Sequence, residues 1–161
     1  MQPLTFLELE KYALSGKSNY WEEGYKYRWQ YMDYVIAQAV KIGGQKIIEA
    51  GASGMPLFKD SFLFDYPEYD LNNIPYKFKD KEFDTFIALQ VWEHLEKQSD
   101  AFREVMRISK NAILSFPYKW TWGDKQHKGI DDKKILEWTC NINPESVKII
   151  NHRIIMTWRF D

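Results

Sequence analysis

With 161 residues, the chain has the length of a single domain and can bury roughly two-thirds of its unfolded surface in a real core. Its 22 basic and 23 acidic residues leave a formal net charge of −1, which excludes a global field for holding nucleic acid or an anionic membrane. The lone Cys140 excludes an internal disulfide, no Cys/His cluster has structural-zinc spacing, and no apolar run approaches bilayer length.

These features set the first expectations: a soluble, cytoplasmic protein that needs no metal, with Glu8 and Glu10 standing where a signal peptide would carry its apolar run. Along the chain, Tyr25, Trp29, Met32, Ile36 and Val40 recur at helical spacing and predict a long helix over 21–42, ended by Gly43-Gly44. Lys46-Ile47-Ile48 opens a buried strand, and Ser61 to Asp65 is a second strand. Pro67, Asn72, Asn73 and Pro75 then punctuate an irregular stretch.

Phe83 to Leu89 predicts a strand, His94 to Ile108 a helix and Ala112 to Phe116 another strand. This alternation predicts a doubly wound α/β domain with a mainly parallel sheet and helices on both faces. Asp131 to Trp138 is predicted helical, and Val147 to Phe160 supplies one or two terminal strands, one of them antiparallel. Residues 1–44 form a helical cap and 45–161 the α/β core of one domain.

Chemistry concentrates at strand ends. From Lys46 to Gly54 the sequence KIIEAGASG places an acid and small residues where the first strand turns, so a backbone can approach a ligand closely there. Alone, such a turn is equally a tight turn. It is followed in order by Asp65, by Asp70-Leu71-Asn72, by Phe83-Asp84 and by Glu93-His94-Leu95.

At these positions the chain resembles class I S-adenosylmethionine-dependent methyltransferases, in particular a small branch with D-L-N, F-D and E-H-L motifs. The resemblance covers about Lys46 to Tyr118 and extends to the helix Phe102 to Ile108 and the strand exit Leu114 to Tyr118. It implies a Rossmann-like fold, S-adenosylmethionine as cofactor and methyl transfer to an oxygen or nitrogen acceptor. Carried onto this chain, it implies that Glu49, Gly51 and Ala52 border the methionine moiety and that Asp65 accepts from the ribose hydroxyls. Asp70, Leu71 and Asn72 would lie near the adenine, with Gln90 and Val91 beneath the cofactor. A carboxylate suits paired hydroxyls as a double acceptor; equally, Asp65 and Asp70 suit turns in which they bond their own backbone.

The chain departs from the family by having fewer glycines in the first turn and only about a dozen residues between that turn and Asp65. That length predicts an abbreviated first crossover. His127, in a polar loop after the last parallel strand, is the candidate general base, because an unperturbed imidazole titrates near neutrality. Glu93-His94 and His152 are read as structural. Tyr20, Trp21, Tyr25, Tyr118, Trp120 and Trp122 are candidate substrate walls, and Arg28 adds a positive contact. A His-x-Gly at 127–129 followed by Trp138-Thr139 is faintly similar to methyltransferases of surface-polysaccharide pathways, which implies a small or carbohydrate-like acceptor. The competing readings are a non-catalytic methyltransferase-like module that binds a partner protein, with homodimerisation as one form, and a nicotinamide-dependent oxidoreductase. The last is disfavoured by the missing G-x-G-x-x-G spacing.

Overall fold

Thr5 and Glu8 start the first helix of the structure, a computed structural model that describes residues 1–161. Thr5 Oγ1 accepts from the Glu8 amide and Glu8 Oε2 from the Thr5 amide, a reciprocal capping pair that satisfies two orphan donors at the N-terminus of α1 (Phe6–Ala13). This helix falls within the segment expected as a helical cap but was not itself predicted as an element. The anticipated long helix is α2 (Asn19–Ile42), which buries a stripe through Trp21, Tyr25, Met32, Val35, Ile36 and Ala39.

The strands are β1 (Ile47–Ala50), β2 (Phe62–Phe64), β3 (Phe83–Leu89), β4 (Ser109–Pro117), β5 (Ser146–Ile150) and β6 (Arg153–Arg159). They form one sheet in the order β2-β1-β3-β4-β6-β5, parallel through β4, with β6 antiparallel to both neighbours. Alternation along β1 sends Ile47 and Ile48 to opposite faces. Ile47, with Ile87, Ile113 and Ile155, packs under α1 and α2. Ile48, with Phe86, Leu114 and Phe116, packs under α3 (Gln98–Ile108) and α4 (Asp132–Trp138). The architecture is the expected Rossmann-like α/β sheet, mainly parallel with an antiparallel C-terminal strand and helices on both faces.

Two local differences have physical causes. The helix expected from His94 begins at Gln98, because Trp92–His94 forms a single 3-10 turn. Trp92 is fully buried and its indole N–H donates to the Gln98 carbonyl at 3.1 Å, which holds the chain in that turn before α3 begins. The first crossover is abbreviated to residues 51–61 and contains no helix. Glu49 replaces the missing helix as an organiser: Oε2 accepts from the Leu57 amide and Oε1 from the Phe58 amide, both at 2.8 Å. The N-terminal segment adds Leu4 N–H to the Leu57 carbonyl and Lys59 N–H to the Gln2 carbonyl.

At the opposite sheet edge, Asp84 ties three segments together. Its carboxylate accepts from Lys110 Nζ at 2.8 Å and from the amides of Lys46 at 3.0 Å and Gln45 at 2.9 Å. The Lys110 ammonium, and after it these amides, hold its carboxyl well below the usual range, at about 2. A depressed folded pKa means that this stabilisation is present above the unfolded value and is lost as pH falls through about 2. Asp84→Asn is therefore expected to lower stability by about 1–2 kcal/mol at pH 6. In urea melts, the gap from the wild type should narrow steadily as the pH is lowered from about 4 towards 2.

Candidate functional site

The strand order turns back at β1, which has β2 on one side and β3 on the other, so a crevice opens beyond the C-terminal ends of β1 and β3. A cleft with about 410 Å³ of empty space, counting its open mouth, lies there. Its floor is Glu49 to Ser53 with Ile87 and Leu89, and its wall is Tyr20, Trp21, Tyr31 and Met32 of α2 with Met55 and Leu57 of the crossover. Trp21 donates its indole N–H to the Ser53 carbonyl at 2.9 Å, fastening α2 to the turn.

Gly51 has φ +71, and a Cβ built there would lie 2.4 Å from Val91 Cγ2. The glycine is thus needed both for its backbone conformation and for the close approach of Val91. Asp65, at the exit of β2, accepts through Oδ1 from the Gly51 amide at 2.6 Å and the Ala52 amide at 3.2 Å. The same acid therefore clamps the turn and keeps Oδ2 for another donor. Glu49 is buried with both oxygens engaged; burial pushes its carboxyl up, against the opposing pull of the two amides.

The D-L-N segment is built into the fold residue by residue. Asp70 Oδ1 accepts from the Asn72 amide, a local turn. Leu71 is buried, and its carbonyl accepts from Tyr76 Oη. Asn72 Oδ1 accepts from the amides of Glu96 at 2.9 Å and Lys97 at 3.2 Å, just beyond E-H-L. Gln90 stands at the end of β3 with φ +58, donates to Ser115 Oγ at 3.0 Å and leaves its buried Oε1 without a partner.

Of the six candidate wall residues, Tyr20 and Trp21 reach the cleft. Tyr25 turns to α1, where its hydroxyl donates to Glu10 and its ring stacks on Phe6. Tyr118 donates to Asp132 Oδ2 at 2.8 Å, away from the other rings. Trp120 stacks on Trp122 and on His127, with ring centroids 5.2 and 5.7 Å apart. Arg28 lies over the Tyr20 ring at 3.7 Å. His152 is exposed and meets Trp122 edge-on.

Sequence reasoning missed Arg153 at this edge and read Glu93 only as structural. Arg153, at the start of β6, sits over Tyr27, Tyr31 and Trp120 at 4.9–5.3 Å and so joins the cleft wall to the Trp120–His127 stack. No local pattern announces an arginine whose partners come from three separate segments. Glu93 is fully buried in its side chain, and neither oxygen has a hydrogen-bond partner, although its own amide lies near enough to favour the charged form slightly. Burial pushes its carboxyl up to about 7. Burial and the neighbouring His94 push the His127 imidazole down, so it is neutral at neutral pH.

A family model described as a methyltransferase domain matches residues 45–113, from just before β1 into β4. No curated protein matches the chain. Among solved structures, magnesium protoporphyrin IX methyltransferase from Synechocystis PCC 6803 with bound SAM is similar at TM-score 0.61 and 15% identity, over 98% of this chain and 92% of that one. A complex of a methyltransferase activator with a methyltransferase from Haloferax volcanii contains a similar chain: TM-score 0.63, 10% identity, 94% of this chain and 97% of that one. The (4+2)-cyclase SpnF is similar at TM-score 0.58 and 16% identity over 75% of this chain, which spans 59% of SpnF. At these identities the likeness is one of fold.

No helix of the chain is long and apolar enough to cross a membrane. The geometry at Gly51 yields a direct expectation. Gly51→Ala should cost about 1–3 kcal/mol through its positive φ and the contact with Val91. In denaturant melts, adding Val91→Ala should restore only the steric part of that loss.

Proposed function

We propose that this chain is an S-adenosylmethionine-dependent methyltransferase that methylates an oxygen or nitrogen of a small or carbohydrate-like acceptor. The observation that carries this reading is the junction at the sheet's switch point, where Asp65 clamps the Gly51-Ala52 turn through one oxygen and leaves its other oxygen without a partner. The match of a methyltransferase-domain model to residues 45–113 supports it.

The acceptor groups at this edge fit an adenosyl cofactor. Asp65 Oδ2 suits a ribose hydroxyl, and the orphaned Gln90 Oε1 is a buried acceptor at the end of β3. The cleft walls are apolar except at a few points, as small-molecule sites are. Gly51, Ala52 and Val91 would border the methionine moiety and Asp70-Leu71-Asn72 the adenine. Glu49 and Asn72 act here as positioning residues, since their acceptor oxygens are committed to backbone amides.

When bound, S-adenosylmethionine supplies a sulfonium methyl group for in-line displacement, so the protein's main task is alignment. Tyr20, Trp21, Tyr31 and Met32 would hold the acceptor, with Trp120 and Trp122 as flat platforms for a ring. His127 is the group assigned to the acceptor's proton, because its neutral imidazole has a lone pair to offer.

Calorimetric titration with S-adenosylmethionine, and separately with S-adenosylhomocysteine, tests the reading. Saturable one-to-one binding of both is expected, weakened at least about tenfold by Asp65→Ala. Asp65→Asn keeps an oxygen for the Gly51 and Ala52 amides, so a similar loss there isolates the ligand-facing oxygen. Absence of binding at millimolar ligand would overturn the enzyme reading and leave a partner-binding module.

A further inference from the structure

Glu93, His94 and His127 converge at the C-terminal edge of the sheet, from the turn after β3 and the loop after β4. His94 Nε2 lies 3.7 Å from Glu93 Oε1, and His127 Nε2 lies 4.0 Å from the same oxygen. One ligand atom from each residue falls within 4.8 Å of the others. We propose that these three side chains form a binding site for one divalent ion of the manganese-to-zinc row, with coordination positions left open to an acceptor.

The buried carboxylate is the strongest observation. Glu93 has no exposed side-chain surface and no hydrogen bond to either oxygen, whereas Glu49, equally buried, spends both oxygens on amides. An isolated buried carboxylate is costly unless a cation or donors satisfy it. Arg153, on the same edge, favours the charged form of Glu93 through space but gives it no hydrogen bond, being held by the Asn151 carbonyl and three rings.

The imidazoles are set up as ligands. His94 Nδ1 lies 3.0 Å from Gln126 Oε1, which selects the tautomer that donates there and turns the Nε2 lone pair towards Glu93. Metal-bound histidines are oriented by such a second hydrogen bond. His127 is fixed by its stack on Trp120, with an interplanar angle of 18°. Two imidazoles and one carboxylate are a borderline donor set, better suited to manganese-to-zinc ions than to magnesium or calcium, which prefer oxygen shells. Bonds of about 2.0–2.1 Å in a tetrahedral shell separate ligand atoms by about 3.3 Å, so small side-chain rotations close the site.

Resting on the methyl-transfer reading, the site would take over the role given to a free His127. The ion occupies the Nε2 lone pair and presents its open positions to an acceptor oxygen, which favours acceptors with hydroxyl groups.

Cobalt(II) is the probe. Titrated into the full, chelator-treated chain without S-adenosylmethionine, it should give visible absorption bands that saturate at one equivalent and are displaced by zinc. Glu93→Gln and His127→Ala should each weaken binding at least about tenfold, and His152→Gln should leave it unchanged. Glu93→Gln also separates the ligand role from a structural one: removing a buried charge should raise the melting temperature of the metal-free chain yet abolish the rise that cobalt gives the wild type. Failure of cobalt to saturate at millimolar concentration, or equal binding by the Glu93→Gln and His127→Ala variants, would overturn the site. Metal binding without cofactor binding would remove the methyl-transfer reading and leave the site; cofactor binding without metal would do the reverse.

Discussion

The first crossover, and with it the floor of the candidate cleft, depends on one buried carboxylate and two amides. A parallel pair of strands ordinarily needs a helix to carry the chain back, and β1 and β2 are joined by residues 51–61 with none. Glu49 makes this connection workable by accepting from Leu57 and Phe58, turning the returning chain inward where helix packing would otherwise hold it. Burial disfavours its charge, and the two amides offset that penalty because they would themselves be unsatisfied without it. The crossover so pinned supplies Met55 and Leu57 to the cleft and backs the turn that Asp65 clamps.

The same logic explains why the short motifs occur together. Asn72 accepts from Glu96 and Lys97, so D-L-N and E-H-L are two halves of one hydrogen-bonded junction between the loops after β2 and β3. Gly51 admits Val91, so the first turn and the end of β3 are also fitted to each other. Residues that read in sequence as ligand contacts are therefore first of all contacts among loops, and they hold those loops in register around the candidate site.

Much of the fold was legible because periodicity reports burial. Most of the stripe of α2, the apolar runs of β1, β3 and β4, and the terminal strands followed from spacing, although Val40, expected on the stripe, is exposed near the end of α2. The Thr5–Glu8 capping box was equally visible in the sequence, yet the helix it starts is only eight residues long. The delayed start of α3 was not legible, since it depends on where the Trp92 indole is buried. Within the candidate site, strand-end residues were singled out by their place in the chain. Tyr25 and Trp21 look alike on a helical wheel, and only packing against α1 sends one to Glu10 and the other to Ser53. The meeting of Glu93, His94 and His127 was invisible because it joins two loops that no spacing rule connects.

Unsatisfied polarity has a direction in this molecule. Five buried side-chain atoms lack partners: Thr85 Oγ1, Gln90 Oε1, both oxygens of Glu93 and Arg153 Nε. All but Thr85 lie where β3 ends and where β6 begins opposite the end of β4, which is the edge of the candidate site. At the far edge Asp84 engages both of its oxygens, and Glu82 pairs with Lys46 and the Lys79 amide. Native interiors leave few such atoms, and each is a cost to folding. Four of the five open atoms thus gather at the C-terminal edge of the sheet, where the candidate site lies, and one, Thr85 Oγ1, lies near the start of β3 beside the satisfied Asp84.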